Sequence, residues 1–242
     1  MPGLFKKFAK KADTPYCAAV VPAAGSSSRM GGEDKIMLSL HGVPVIIHTL
    51  RVLEFSPFIR EIVVVTREDL IVPIANLCAE YALTKVTKVI AGGATRAHSV
   101  RLGLLEVSDR AQLIAIQDGA RPLLSENVLE EVIRTAAKTG AAAPAVPVKD
   151  TIKRACKGIV LDTPDRTELF AVQTPQVFMA DLIRPALHGA VEENVPLTDD
   201  CSAVERLGMK VTLTTGSDEN IKITTPTDMV IAEALLERRG QP

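Results

Sequence analysis

The feature that most restricts how this chain can fold is an alternation of short, unbroken apolar runs with segments of helical spacing. Cys17-Ala-Ala-Val-Val-Pro22, Glu61-Ile-Val-Val-Val-Thr66, Gln112-Leu-Ile-Ala-Ile-Gln117 and the run 141–148 carry little polar alternation, as strands covered on both faces require. A further strand is expected at 85–90. Between these runs the spacing predicts helices over 44–55, 69–81 and 96–107. Another is marked by Val128, Leu129, Val132, Ile133, Ala136 and Ala137 and stopped by Gly140. Strands and helices in this rhythm make an α/β protein with a doubly wound, mostly parallel sheet, whose ligand lies at the carboxyl ends of the strands. A chain of 242 residues fits one core, so residues 17–242 are expected to form a single domain. Residues 1–16, with Lys6, Lys7, Lys10 and Lys11 but no apolar signal core, are expected to be a mobile tail.

The stretch 149–172 breaks the rhythm. Asp150-Thr-Ile-Lys-Arg154 and Gly158-Ile-Val-Leu-Asp-Thr-Pro-Asp-Arg166 pattern as two short strands about a turn, with charges interleaved. They form either a projecting β-arm or an ordinary surface hairpin. Helices over 179–193 and 199–207 follow, then strands at 210–214 and 220–224. The last helix is opened by Thr225, Pro226 and Asp228, a cap, a first-turn proline and a capping-box acid.

Composition narrows the ligand. Lys and Arg number 28 against 29 Asp and Glu, so no basic surface awaits nucleic acid or an anionic membrane. Aromatic residues make up 3%, too few for a base-stacking platform. Cys17, Cys78, Cys156 and Cys201 are widely spaced, as are His41, His48, His98 and His188. Neither set has zinc-ligand spacing, and the cysteine usage suits a reducing cytoplasm. No apolar run is long enough to span a membrane.

Three polar loops follow strand ends. Pro22-Ala-Ala-Gly-Ser-Ser-Ser-Arg29, with Lys35 soon after, offers small residues where a backbone approaches a ligand and two cations for phosphates. It matches neither a dinucleotide-binding glycine fingerprint nor a P-loop. Gly92-Gly-Ala-Thr-Arg-Ala-His-Ser99 opens a helix, and Asp118-Gly-Ala-Arg-Pro122 sets a carboxylate beside a guanidinium. Asp118 suits a Mg²⁺ ligand, or half of a structural ion pair with Arg121. Together these loops hold Asp, Lys and Arg without a nucleophile-base set, which favours phosphate or nucleotide chemistry over acyl transfer.

Those loops, with Asp150-Thr151, Thr174-Pro-Gln176, Thr198-Asp199 and Asn220-Ile-Lys222-Ile-Thr224, resemble in order and interval the 2-C-methyl-D-erythritol 4-phosphate cytidylyltransferases of the non-mevalonate isoprenoid pathway, from 17 to about 236. The resemblance implies a Rossmann-like nucleotidyltransferase fold with a dimerisation arm. It implies transfer of CMP from CTP to the polyol phosphate, with Mg²⁺, giving 4-diphosphocytidyl-2-C-methyl-D-erythritol and pyrophosphate. Pro22, Ala23, Ala24, Gly25, Gly93, Ala94, Ser99 and Gly119 would bind CTP. Arg29, Lys35 and Lys222 would be catalytic, and Asp118 would hold the metal. Asp118, Arg121, Thr151, Arg166, Thr174 and Thr198 would bind the acceptor side, with Thr151 and Arg166 reaching over from a partner's arm in a homodimer. Two departures stand out: Asp34 where many members carry Pro, and Gly119-Ala120 where Ala-Ala is common.

The chemistry suits this residue set. A phosphate monoester has a second pKa near ~6, so the acceptor is already a nucleophilic dianion at neutral pH. What remains is to bring one anion onto another, which cations and a metal accomplish. A cytidylyltransferase for another polyol phosphate, such as ribitol 5-phosphate, shares the nucleotide loops. A non-catalytic nucleotide-binding regulator and a nicotinamide-dependent oxidoreductase are the readings from other classes.

Overall fold

The computed structural model describes residues 15–25 and 34–240. Strand β1 (Cys17–Pro22) is followed by a small hairpin of β2 (Ser39–Leu40) and β3 (Val43–Pro44) that leads into helix α1 (Val45–Phe55). Then come β4 (Ile59–Thr66), α2 (Ile71–Glu80), β5 (Val86–Ala91), α3 (Arg96–Glu106), β6 (Leu113–Ile116), α4 (Glu126–Thr139) and β7 (Ala141–Pro147). A separate hairpin of β8 (Arg154–Cys156) and β9 (Ile159–Asp162) precedes β10 (Phe170–Val172), β11 (Gln176–Met179), α5 (Ala180–Glu192), α6 (Asp200–Glu205), β12 (Thr212–Thr215) and α7 (Pro226–Arg238).

The main sheet has eight strands. β1 lies between β4 and β6, parallel to both, and β5 extends the sheet beyond β4. On the other side β11 runs antiparallel between β6 and β7, so β7 points the same way as β6. Ala142 pairs with both Val177 and Thr212, and Ala145 with both Val172 and Thr215. One residue has two edges, so β10 and β11 share one edge of β7 and β12 takes the other. Only β10 and β11 oppose the common direction, and the expected mostly parallel sheet is present.

Successive side chains on a strand face opposite ways, and the core divides accordingly. Cys17, Ala19 and Val21 of β1 pack with Ile62 and Val64 under α1, α2, α4 and α7, whereas Ala18, Val20, Val63 and Val65 pack under α3, α5 and α6. α3 sits especially close. A Cβ added at Gly103 would lie 2.5 Å from Val20 Cγ1 and 2.8 Å from Val65 Cγ2. Gly103→Ala is therefore expected to destabilise the fold by ~1–3 kcal/mol, read as a drop of roughly 2–4 °C per kcal/mol in thermal midpoint. An unchanged midpoint would contradict this packing.

Three local expectations are corrected. Residues 220–224 form no strand, because their hydrogen bonds are spent elsewhere: the Asn220 side chain donates to Thr174 O at 2.9 Å, Asn220 N–H to Ser217 O, and Ile223 N–H to Ala120 O. Side-chain and turn bonds of this kind compete with a ladder. The first strand of the 149–172 segment begins at Arg154 rather than 150, with the turn at Lys157 and Gly158, both at positive φ. β11 was not expected at all, since its four residues merge with the following helix in the pattern.

Candidate active site

The carboxyl ends of β1, β4, β5 and β6 are laced into one floor. Ala23 N–H donates to Val65 O (2.7 Å), Gly92 N–H to Thr66 O (2.7 Å) and Gly119 N–H to Pro22 O (3.1 Å). Above it opens a cavity of about 370 Å³, within the size range of small-ligand sites. Pro22, Ala23, Ala24, Gly25, Gly93, Ala94, Ser99 and Gly119 all line it, together with Lys35, Asp118 and Lys222. The Ser99 hydroxyl ties the second loop down, accepting from Gly93 N–H at 3.0 Å and donating to Thr95 O at 3.0 Å. Glycine is needed there, because a Cβ on Gly93 would meet His98 Cγ at 2.5 Å.

Asp118 is the electrostatic centre. It is 6% exposed. Its Oδ2 lies 2.9 Å from Lys222 Nζ and 3.5 Å from Arg121 Nε, while Oδ1 lies 3.3 Å from Arg96 Nη2. Burial alone pushes this carboxyl up, but Arg96, Lys222 and Arg121 outweigh burial and hold it at about 2. Because the folded value is depressed, the carboxylate contributes stability above the unfolded pKa near ~3.9, and that contribution is lost as pH falls toward 2. At neutral pH the site presents a fixed anion among cations.

The other anticipated residues distribute unevenly. Lys35 and Lys222 reach the cavity, and Arg29 lies outside the described residues. Arg121 is tucked behind Asp118, with Nη1 donating to Asn220 O at 2.7 Å. Thr174 is buried beneath it, its Oγ1 accepting from Asp118 N–H at 3.1 Å. Thr198 is exposed just before α6, whose cap Asp199 accepts from Ser202 N–H. Thr151 and Arg166 are exposed and do not line the cavity, and Arg166 Nη1 donates to Lys149 O at 2.8 Å.

Two participants were missed. Arg96, the first residue of α3, lines the cavity and joins Asp118 to Asp200, whose Oδ2 is 2.7 Å from Arg96 Nη2. Asp200 is 1% exposed, and its Oδ1 has no hydrogen-bond donor. Burial pushes its carboxyl up, opposed by Arg96. A cation opening a helix directly after a glycine loop was the available signal for Arg96. Nothing in the sequence pairs it with Asp200. The thiols offer no competing chemistry in the core, since burial pushes Cys17 up to about 12 and Cys78 up to about 11.

Residues 17–238 match the family model for 2-C-methyl-D-erythritol 4-phosphate cytidylyltransferase (IspD). The chain is similar to the protein of that name from Desulforamulus reducens, 47% identical over 229 residues, covering 92% of this chain and 96% of that one. It is also similar to the one from Bacillus velezensis, 43% identical over 220 residues, covering 90% and 94%. Among solved structures, the 4-diphosphocytidyl-2C-methyl-D-erythritol synthase of Anaerococcus prevotii superposes with a TM-score of 0.83 at 30% identity, covering 93% of this chain and 98% of that one. The cytidylyltransferase of Thermus thermophilus gives 0.76 at 30% identity, covering 92% and 99%.

Proposed function

This chain belongs to the 2-C-methyl-D-erythritol 4-phosphate cytidylyltransferase family, and from that premise we propose which of its residues carry the reaction. The protein transfers CMP from CTP to 2-C-methyl-D-erythritol 4-phosphate, forming 4-diphosphocytidyl-2-C-methyl-D-erythritol and pyrophosphate. The acceptor phosphate supplies an electron pair to the α-phosphorus of CTP, a new P–O bond forms, and the bond to the β-phosphate oxygen breaks. No proton must move, because the acceptor is already dianionic.

In our reading the backbone of 22–25, with Gly93, Ala94, Ser99 and Gly119, holds the nucleoside. Arg29, Lys35 and Lys222 offset charge at the α-phosphate. The observation that carries this reading is the ionised Asp118 buried among three cations in the cavity that Lys35 also lines. Lys222 has three donors, so it can keep its 2.9 Å contact with Asp118 and still meet a phosphate. In this reading Arg121, Thr174 and Thr198 bind the acceptor, and Arg96 joins the set because it lines the cavity.

Among the described residues no group of three His, Cys, Asp or Glu side chains could hold a metal by itself. One ionised carboxylate facing the nucleotide's phosphates is nonetheless the donor set that Mg²⁺ accepts, since this ion is usually bound through one or two carboxylates plus substrate oxygens. Asp118 would hold it, and when bound it would neutralise charge developing on the phosphates. Asp118→Asn keeps the size and removes the charge. The variant is expected to need at least about tenfold more Mg²⁺ for half-maximal rate while its circular dichroism stays that of the parent. The parent's metal dependence in this variant would make Asp118 a structural partner of Arg96 and Arg121 only.

We further propose that residues 17–242 act as one domain and that the protein is a cytoplasmic homodimer built by exchange of the β8–β9 arms. The arm leaves Ile159, Val160 and Leu161 at 70%, 54% and 58% exposure on its own chain, an apolar run that a partner would cover. Arg154 pairs with Asp162 within the arm, so the charges noticed in the sequence stiffen the hairpin and the apolar residues are left for contact. The cytoplasmic assignment is supported by four unpaired cysteines. No helix among the described residues is long and apolar enough to cross a membrane.

A further inference from the structure

Lys35 enters the cavity from a tight turn whose two sides are anchored by different parts of the molecule. On the downstream side Ile36 is buried in the core, and its carbonyl accepts from Ile46 N–H at 2.9 Å while Leu38 O accepts from Val45 N–H at 3.0 Å. On the upstream side Asp34 closes the turn in two ways. Its carbonyl accepts from Met37 N–H at 2.9 Å and Leu38 N–H at 3.2 Å, and its Oδ1 accepts from Ile36 N–H at 3.2 Å.

The other carboxylate oxygen of Asp34 faces Arg67, whose Nη1 lies 2.5 Å from Oδ2. Arg67 directly follows β4, where Thr66 O accepts from Gly92 N–H and Thr66 Oγ1 donates to Ala23 O at 3.4 Å. The guanidinium is in turn held from its far side, with Nε and Nη2 donating to the two oxygens of Asp69 at 3.0 and 2.9 Å. A guanidinium fixed in such a fork is an oriented donor rather than a mobile charge. The Asp34 side chain is 11% exposed and that of Arg67 34%, so the carboxylate end of the pair is sheltered while the guanidinium keeps one side toward solvent.

We propose that Asp34 and Arg67 are positioning residues for Lys35, tying the turn that carries it to the carboxyl end of β4 and so setting where its ammonium stands over the nucleotide floor. The inference rests on the reading of Lys35 as a charge-offsetting residue. Neither Asp34 nor Arg67 lines the cavity, so their effect must pass through the residue between the turn's anchors. Displacement of a catalytic group by about an ångström is enough to cost a large factor in rate.

The test is steady-state and single-turnover kinetics of Arg67→Met and Asp34→Asn, each made in the parent and in a Lys35→Ala background. Asp34→Asn retains an acceptor for Ile36 N–H and removes only the charge. In the parent each substitution is expected to lower kcat roughly tenfold, within the range for misplaced catalytic groups, with KM for CTP changed less than threefold and thermal midpoint held within a few degrees. The double variant Asp34→Asn/Arg67→Met is expected to be no slower than the worse single, as coupled partners behave. In the Lys35→Ala background the same substitutions are expected to change the residual rate by less than twofold. Equal losses with and without Lys35 would assign the pair a general structural role and overturn the proposal, as would an unchanged kcat in the parent. Normal turnover of Lys35→Ala by itself would instead remove the role assigned to Lys35, and the positioning claim with it.

Discussion

Lys35→Ala and Lys222→Ala are each expected to lower kcat by roughly 10²- to 10³-fold, the usual cost of losing a donor aimed at charge that develops in the transition state. KM for CTP should move far less. Both side chains reach the cavity, Lys35 from the turn after the first loop and Lys222 from the irregular segment before α7. In the reading proposed above, the base and ribose are met instead by backbone and by Ser99. Lys222 is held from below by Asp118 at 2.9 Å, and its segment is pinned by Ile223 N–H on Ala120 O at 2.8 Å. Its charge is therefore pre-placed rather than recruited on binding. Rapid-quench kinetics on the folded variants separates chemistry from binding. Unchanged turnover in either variant would remove it from the transition state.

The second large effect concerns the arm. Arg166→Ala and Lys35→Ala homodimers are each expected to be nearly inactive, yet mixing them should restore activity. Arg166 and Thr151 are exposed and do not line the cavity of their own chain, and in the reading proposed above they serve a neighbour's acceptor. In a mixed dimer one site then combines an intact Lys35 from one chain with an intact Arg166 from the other. Random reassortment makes about half of the dimers mixed, each with one good site of two, so recovery should approach roughly a quarter of the parent. A chain carrying both substitutions, exchanged with itself, should recover nothing. No recovery after subunit exchange has been verified by mass would mean that Arg166 acts in its own chain or not at all, and the exchanged-arm dimer would have to be abandoned.

Much of the sheet was readable because a strand buried on both faces is apolar along its length, as β1, β6 and the Ile62-Val-Val-Val65 stretch of β4 are. The final helix was readable because its cap is local: Asp228 Oδ2 accepts from Thr225 N–H three residues away. β10 and β11 escaped notice because each is short and lies against β7, where no period of its own is needed. Residues 220–224 alternate like a strand, yet Asn220 is fully buried with its amide nitrogen donating to Gln173 Oε1 and Thr174 O, a demand that only the folded chain reveals. The same holds for the site. Asp118 and Lys35 announced themselves as charged residues beside strand ends and small loops, whereas Lys222 stood inside an expected strand and was marked only by the family resemblance. The Arg96–Asp200 and Asp34–Arg67 pairs join distant segments, and no spacing rule foretells which carboxylate a given arginine will meet.

Competition between acceptors distinguishes transfer of CMP onto a methylerythritol phosphate from transfer onto another short polyol phosphate. The purified protein is given labelled CTP, Mg²⁺ and equal amounts of 2-C-methyl-D-erythritol 4-phosphate and ribitol 5-phosphate, and the products are separated and counted. The expected products are 4-diphosphocytidyl-2-C-methyl-D-erythritol and pyrophosphate in equal amounts, with the ribitol product lower by at least about tenfold, the scale on which a few acceptor contacts discriminate. Equal or preferred use of ribitol 5-phosphate, or no product from either acceptor in the folded protein, would contradict this expectation.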